Sequence, residues 1–207
     1  SHAFHRALRG RTHGGQGTFW TWRDDMYRLA GVLDPDSYHR LARATFGEMA
    51  LAGITSVGEF HYVHHQPDGT PYADANAMGQ AIAAAAGDAG LRLTLLDTCY
   101  LGSAIGADGA LVPATTEQLR FSDRTVEAWA ARVDGLSEQA RVRVGAAVHS
   151  VRAVDASSIA TVASWAAEHD RPLHAHVSEQ PAENEQCRAA HGMSPIALLD
   201  SCGVLSR

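Results

Sequence analysis

Apolar residues recur along this chain in two rhythms. In residues 141–150, Val142, Val144, Ala146 and Val148 fall on one face, while Gly145, Ala147 and His149 fall on the other, the period-two pattern of a strand. Residues 54–63 read as a second strand, entered through Gly53 and closed by the polar stretch 64–69. Residues 91–100, behind the helix stop Gly90, and residues 173–179 complete a set of four. The second rhythm is helical. Asp34 caps a helix with Pro35 in its first turn, and Tyr38, Leu41, Ala42, Thr45, Phe46 and Met49 follow at helical spacing. Residues 73–89, 123–136 and 155–168 are further helices, with a short one at 195–201.

Strands alternating with helices predict an α/β fold whose parallel sheet is covered by helices, either open or closed into a (β/α)8 barrel. An open dinucleotide fold needs a glycine-rich turn after its first strand, and no GxGxxG occurs. The barrel is favoured. Counting a strand before Ser1, about the first five of its eight βα units are present. The glycine-rich patch 10–17 lacks GK[ST] and follows no strand, so it reads as a flexible loop and not a phosphate cradle.

Composition narrows the class further. The 207 residues suffice for one sizeable core, and a net charge of −6 with no long Arg run argues against a nucleic-acid partner. Cys99, Cys187 and Cys202 are far apart and lack CxxC spacing, which suits reduced thiols in a cytoplasmic protein. No signal peptide or membrane-length apolar run is present, so no membrane association is expected. The start at Ser1 and the stop after a helical pattern suggest a piece of a longer protein.

Histidine changes the picture most, because many of the 12 copies sit near the ends of apolar runs. His174 and His176 share a strand face and are followed by Glu179, which suits a metal ligand beside an acid/base group; two imidazoles lining a polar barrel interior is an equal reading. Function in a barrel sits where strands end, and His2, His61, Tyr62, His149, Arg152, His176 and Glu179 all fall there. His61, His64 and His65 are as well explained as polar loop residues. His149 suits a hydrogen-bonded wall or a site. Arg152, just beyond a strand, suits anion binding better than bare surface. The segment 19–23 reads as a hydrophobic loop plug or as a walled pocket whose Arg23 grips a carboxylate.

Five segments together are more specific: Ser1-His2-Ala3-Phe4, Phe19-Trp20-Thr21-Trp22-Arg23, Glu59-Phe60-His61-Tyr62-Val63-His64-His65, His149-Ser150-Val151-Arg152 and His174-Ala175-His176-Val177-Ser178-Glu179-Gln180. In this order they resemble the formimidoylglutamate deiminase family of the amidohydrolase superfamily. The resemblance implies a (β/α)8 barrel of the metal-dependent hydrolase type, with one zinc ion per active site. The reaction it implies is N-formimino-L-glutamate plus water giving N-formyl-L-glutamate and ammonia, a step of histidine degradation. His2 then matches the second histidine of a first-strand His-x-His and His176 the fifth-strand ligand, the remaining ligands lying before Ser1 and beyond Arg207. Glu179 matches the acid/base residue. Arg23, Tyr62, His149 and Arg152 match positions that hold the glutamate part of a small dicarboxylate substrate. His5 stands where the family carries a Gln near the formimino group. The resemblance also implies that the rest of the barrel and a small β-sandwich domain lie outside the chain, that the full-length protein is a homodimer, and that this piece alone is inactive. Two other readings are a different superfamily deaminase and a non-catalytic barrel that binds an acidic ligand.

Overall fold

Four parallel strands carry the architecture of the computed structural model, which describes residues 1–10, 18–106 and 108–205. A 3-10 turn (Ala3–Leu8) leads to helices α1 (Phe19–Val32) and α2 (Pro35–Leu51), then strand β1 (Ser56–His61), α3 (Ala77–Asp88) and β2 (Arg92–Cys99). A hairpin of β3 (Gly102–Ile105) and β4 (Leu111–Pro113), a second 3-10 turn (Thr116–Phe121) and α4 (Val126–Val133) precede β5 (Val142–Val148). The chain continues through α5 (Ala156–Glu168), β6 (Leu173–Ala175), α6 (Pro181–His191) and α7 (Pro195–Ser201). The main sheet runs β1-β2-β5-β6, every pair parallel, with Phe60 opposite Leu96 and Val148 opposite Ala175. This is a partial (β/α) barrel. Ser1 lies along the free edge of β1, its amine bonded to the Gly58 carbonyl and its own carbonyl to the Phe60 amide.

Local chemistry explains the helices. Asp34 accepts from the Ser37 amide at 2.7 Å, a cap worth about 1 kcal/mol. Behind it Tyr38, Ala42, Thr45 and Phe46 are buried on one face, against α3 and the first 3-10 turn. Asp155 caps α5 in the same way, and Trp165 of α5 packs edge-on against Trp129 of α4 at 5.4 Å. Gly90 ends the α3 region at φ 76°, where a side chain would be strained.

Several expected boundaries contract. The helix expected at 123–136 begins only at Val126, because Thr125 supplies the cap and the Asp123 carboxylate is held by Arg132. The helix expected at 73–89 begins at Ala77, after an Asp74 turn that receives the Asn76 amide. The strand expected at 173–179 stops at Ala175, and Ser178 turns away at φ 55°. The segment 19–23 is not a loop but the first turns of α1, capped by Thr18. Except for Gly10, the glycine-rich patch 10–17 lies outside the described residues.

Candidate active site

At the carboxyl ends of the strands lies a cavity of about 270 Å³. His2, His5, Arg23, Tyr62, His149, Arg152, His176 and Glu179 all line it, although they come from five separate parts of the chain. Strand parity places them. Phe60 and Tyr62 face inward from the end of β1, His149 follows β5, and His176 follows β6. His174, two residues deeper on the sheet's open edge, is exposed and does not line the cavity.

The Nε2 atoms of His2 and His176 approach to 3.0 Å. The Nδ1 of His2 lies 3.0 Å from the Phe60 carbonyl, and that of His176 lies 3.1 Å from the His149 carbonyl. A carbonyl only accepts, so both Nδ1 atoms carry the proton and both Nε2 atoms present lone pairs to each other. Two facing lone pairs repel unless a cation lies between them. Backbone carbonyls that fix the outer nitrogen are also the usual support of a metal-bound imidazole. The pair therefore fits a metal ion. Burial, then the neighbouring His5 and His176, lowers the His2 pKa to about 3, and burial lowers that of His176, so both rings keep their lone pairs at neutral pH.

A second group, His61, His64 and Asp97, has potential ligand atoms within 4.8 Å of one another. It reads differently. Arg132 already places two nitrogens on the Asp97 carboxylate, each at 2.8 Å, and the Trp129 indole adds a third donor at 3.1 Å. His64 spends its Nε2 proton on the Thr98 carbonyl at 3.0 Å, which leaves a bare Nδ1 acceptor, the less costly atom to bury unpaired. Arg132 also binds Asp123, which holds His65 at 3.0 Å. With a guanidinium fixed in the centre, a metal cation would meet like charge. These three histidines are neither polar loop residues nor pocket residues. They belong to a buried brace between the sheet and its helices, and His61 points away from the cavity toward Tyr38 and Gly79.

The charged groups of the cavity divide into spent and free. Arg152 donates to Glu179 at 2.6 Å and to Glu183 at 3.1 Å. Glu183 is fully buried, and its second oxygen receives the Ser178 amide at 2.9 Å, holding the left-handed turn that presents Glu179. Arg152, expected to bind an anion, is here paired with two carboxylates of the chain itself. Arg23 is different. Its guanidinium stacks over Trp20 at 4.5 Å, and among the described residues it has no ion-pair partner and its buried Nε donates no hydrogen bond. Tyr62 donates to or accepts from His5 Nε2 at 3.0 Å, and His149 is half-buried against Tyr62 and Tyr100, with desolvation holding its pKa well below the usual value.

Sequence reasoning missed Glu183, Tyr27, Tyr100 and Gln118. Two had a signal. Glu183 is the third residue of a helix opened by Pro181, a position from which a carboxylate reaches back to the chain before the helix. Tyr100 follows the last residue of β2, where cavity residues gather.

Parallel strands wrapped by helices, with histidines converging where the strands end, define a barrel of the metal-dependent hydrolase class. The chain belongs to the amidohydrolase family, whose profile matches residues 1–206. It is 39% identical over 205 residues to a formimidoylglutamate deiminase of Pseudomonas aeruginosa, covering 96% of this chain and 44% of that protein. It is 30% identical over 193 residues to an 8-oxoguanine deaminase of the same species, covering 89% of this chain and 39% of that one. A crystal structure of an amidohydrolase from Brucella melitensis superposes with a TM-score of 0.87 at 38% identity, covering 97% of this chain and 45% of the other. The chain thus spans less than half the length of these relatives.

Proposed function

We propose that the protein containing this chain is a formimidoylglutamate deiminase: it hydrolyses N-formimino-L-glutamate to N-formyl-L-glutamate and ammonia. The carrying observation is the cavity itself, where two imidazole lone pairs converge in one space with Glu179 and with an Arg23 that has no ion-pair partner among the described residues. The 39% identical relative supports the same substrate. His2 and His176 would hold a zinc ion, together with ligands from outside this chain. When bound, such an ion makes water acidic enough to serve as nucleophile near neutral pH. The remaining work falls to residues of this chain. Arg23 binds a substrate carboxylate by charge-assisted hydrogen bonds. Arg152 can take a second carboxylate as it releases Glu179. Freed, Glu179 accepts a proton from the attacking water and returns it to the departing nitrogen. The water oxygen bonds to the formimino carbon, the bond from that carbon to its terminal nitrogen breaks, and ammonia leaves. Tyr62 and His149 wall the glutamate part, and His5, held by Tyr62, faces the formimino end.

The deaminase of a neutral heterocycle is the second reading, suggested by the 30% identical relative. A neutral ring has no use for Arg23, which is unpaired among the described residues. No helix among the described residues is long and apolar enough to cross a membrane. A cytoplasmic homodimer with no nucleic-acid partner, completed by the rest of the barrel and a small β-sandwich domain, rounds out the proposal. Ammonia release by the full-length, zinc-loaded protein tests it. Turnover of formiminoglutamate with none of guanine or cytosine is expected; the reverse preference overturns the substrate, and a protein that binds no metal overturns the hydrolase.

A further inference from the structure

One wall of the cavity is formed by Tyr27 from α1, Tyr100 just past β2, and Gln118 from the second 3-10 turn. Gln118 is only 4% exposed. Its amide cannot be turned around, because Oε1 accepts from the Thr115 backbone amide at 2.9 Å, a group that only donates. Nε2 therefore faces the tyrosines, donating to the Tyr27 hydroxyl at 3.0 Å and the Tyr100 hydroxyl at 2.8 Å. Both amide hydrogens are used and both phenol oxygens accept. The two phenol hydrogens must go elsewhere. Among the described residues the hydroxyls meet no acceptor apart from one another. Even granting one hydrogen to a bond between the phenols, the other is left facing the cavity. Beside it stands Arg23, whose guanidinium carbon is 5.5 Å from the Tyr27 ring centroid and whose Nε has no partner among the described residues.

We infer that Gln118 is a positioning residue that fixes the hydrogen-bond polarity of this wall, making Tyr27 and Tyr100 obligate donors to a carboxylate of the ligand held by Arg23. The inference deepens the proposed deiminase reading by assigning the recognition of one substrate carboxylate. The wall selects an anion because its oxygens have already accepted. A ligand offering an amide or ammonium there would meet donors only, and would leave them unpaired at a cost. Since the interaction lies away from the reacting carbon, it strengthens ground state and transition state alike, and its loss shows in KM.

The test uses the full-length protein with two readouts: calorimetric binding of glutarate, a plain dicarboxylate, and steady-state kinetics with formiminoglutamate. Gln118→Glu keeps the contact to Thr115, since Glu and Gln both serve at this position of a capping box. It turns the wall-facing donor into an acceptor that draws the phenol hydrogens out of the cavity. Glutarate Kd and substrate KM should each rise roughly ten- to hundredfold, with kcat retained. The Tyr27→Phe/Tyr100→Phe double variant, which adds no charge, should weaken binding in the same way. Added to that double variant, Gln118→Glu should cost less than about threefold more, whereas bare charge repulsion would cost its full factor again. Wild-type Kd and KM in the tyrosine double variant overturn the inference, even where Gln118→Glu fails to fold. If the wild type binds glutarate in this Gln118-dependent way yet releases no ammonia, the deiminase reading falls and this one stands. If ammonia release keeps its wild-type KM in all variants, the converse holds.

Discussion

Replacing Asp97 with Asn separates the two histidine clusters. The carboxylate is fully buried and receives two Arg132 nitrogens at 2.8 Å and the Trp129 indole at 3.1 Å. An amide of the same shape keeps one acceptor, turns an NH2 toward Arg132, and removes the negative charge that offsets the guanidinium. Breaking a buried ion pair from one side costs about 3–5 kcal/mol. Asp123 still binds Arg132, through two bonds at 2.8 Å, so the lower part of that range applies. Against a total stability of about 5–15 kcal/mol the loss is large. With a urea slope of about 3 kcal/mol/M, the midpoint should fall by roughly 1 M. Zinc content, measured by elemental analysis of the full-length protein, should stay at the wild-type value. Loss of zinc with an unchanged urea midpoint would refute the reasoning, because it would make Asp97 a ligand and Arg132 a bystander.

Other expectations follow from the same geometry. His176→Ala should do the opposite of Asp97→Asn, abolishing zinc binding and turnover while moving the urea midpoint little; retained stoichiometric zinc would remove His176 from the ligand set. Glu179→Gln should lower kcat by about 10²-fold or more with zinc retained, and near-normal kcat would end its proton-transfer role. Arg23→Met should raise KM roughly tenfold or more with kcat little changed, whereas Arg152→Met should lower kcat as well, since Arg152 also holds Glu179. Stability should fall with acid in a defined window. Burial lowers the His64 pKa to about 4, so below about 6.5 the unfolded chain takes up a proton that the folded one refuses. The contribution is complete above that upper limit and is lost as the pH falls from about 6.5 to about 4, the loss reaching about 2 kcal/mol at pH 5. His64→Asn should flatten the slope of urea midpoint against pH between 7.5 and 5 by that amount; an unchanged slope would mean another group titrates.

What the sequence disclosed depended on whether a residue's role is set locally. Strand parity and the rule that barrel function gathers at strand ends need only a few neighbouring residues, so His149, Arg152 and His176 could be assigned to one mouth before any coordinates. The same rule also selected His61, and there it misled. Position at a strand end does not decide which face a side chain takes, and His61 takes the helix-facing side with Glu59, while Tyr62 lines the cavity and Phe60 stacks on His176. Composition could not reveal that His64 and His65 are claimed by Asp97, Asp123 and Arg132, because those partners arrive from β2, from the turn before α4 and from α4 itself. Gln118 was least legible of all. Its role is the direction of two hydrogen bonds to tyrosines 91 and 18 residues away, a property that no spacing along the chain encodes. Ligands of a metal recur as residue types at set positions, but the groups that dictate which way their neighbours donate are defined only by the packed wall. Substrate selectivity in this site is therefore to be sought among such partners, and the pair proposed to hold the metal cannot alone distinguish a dicarboxylate from a purine.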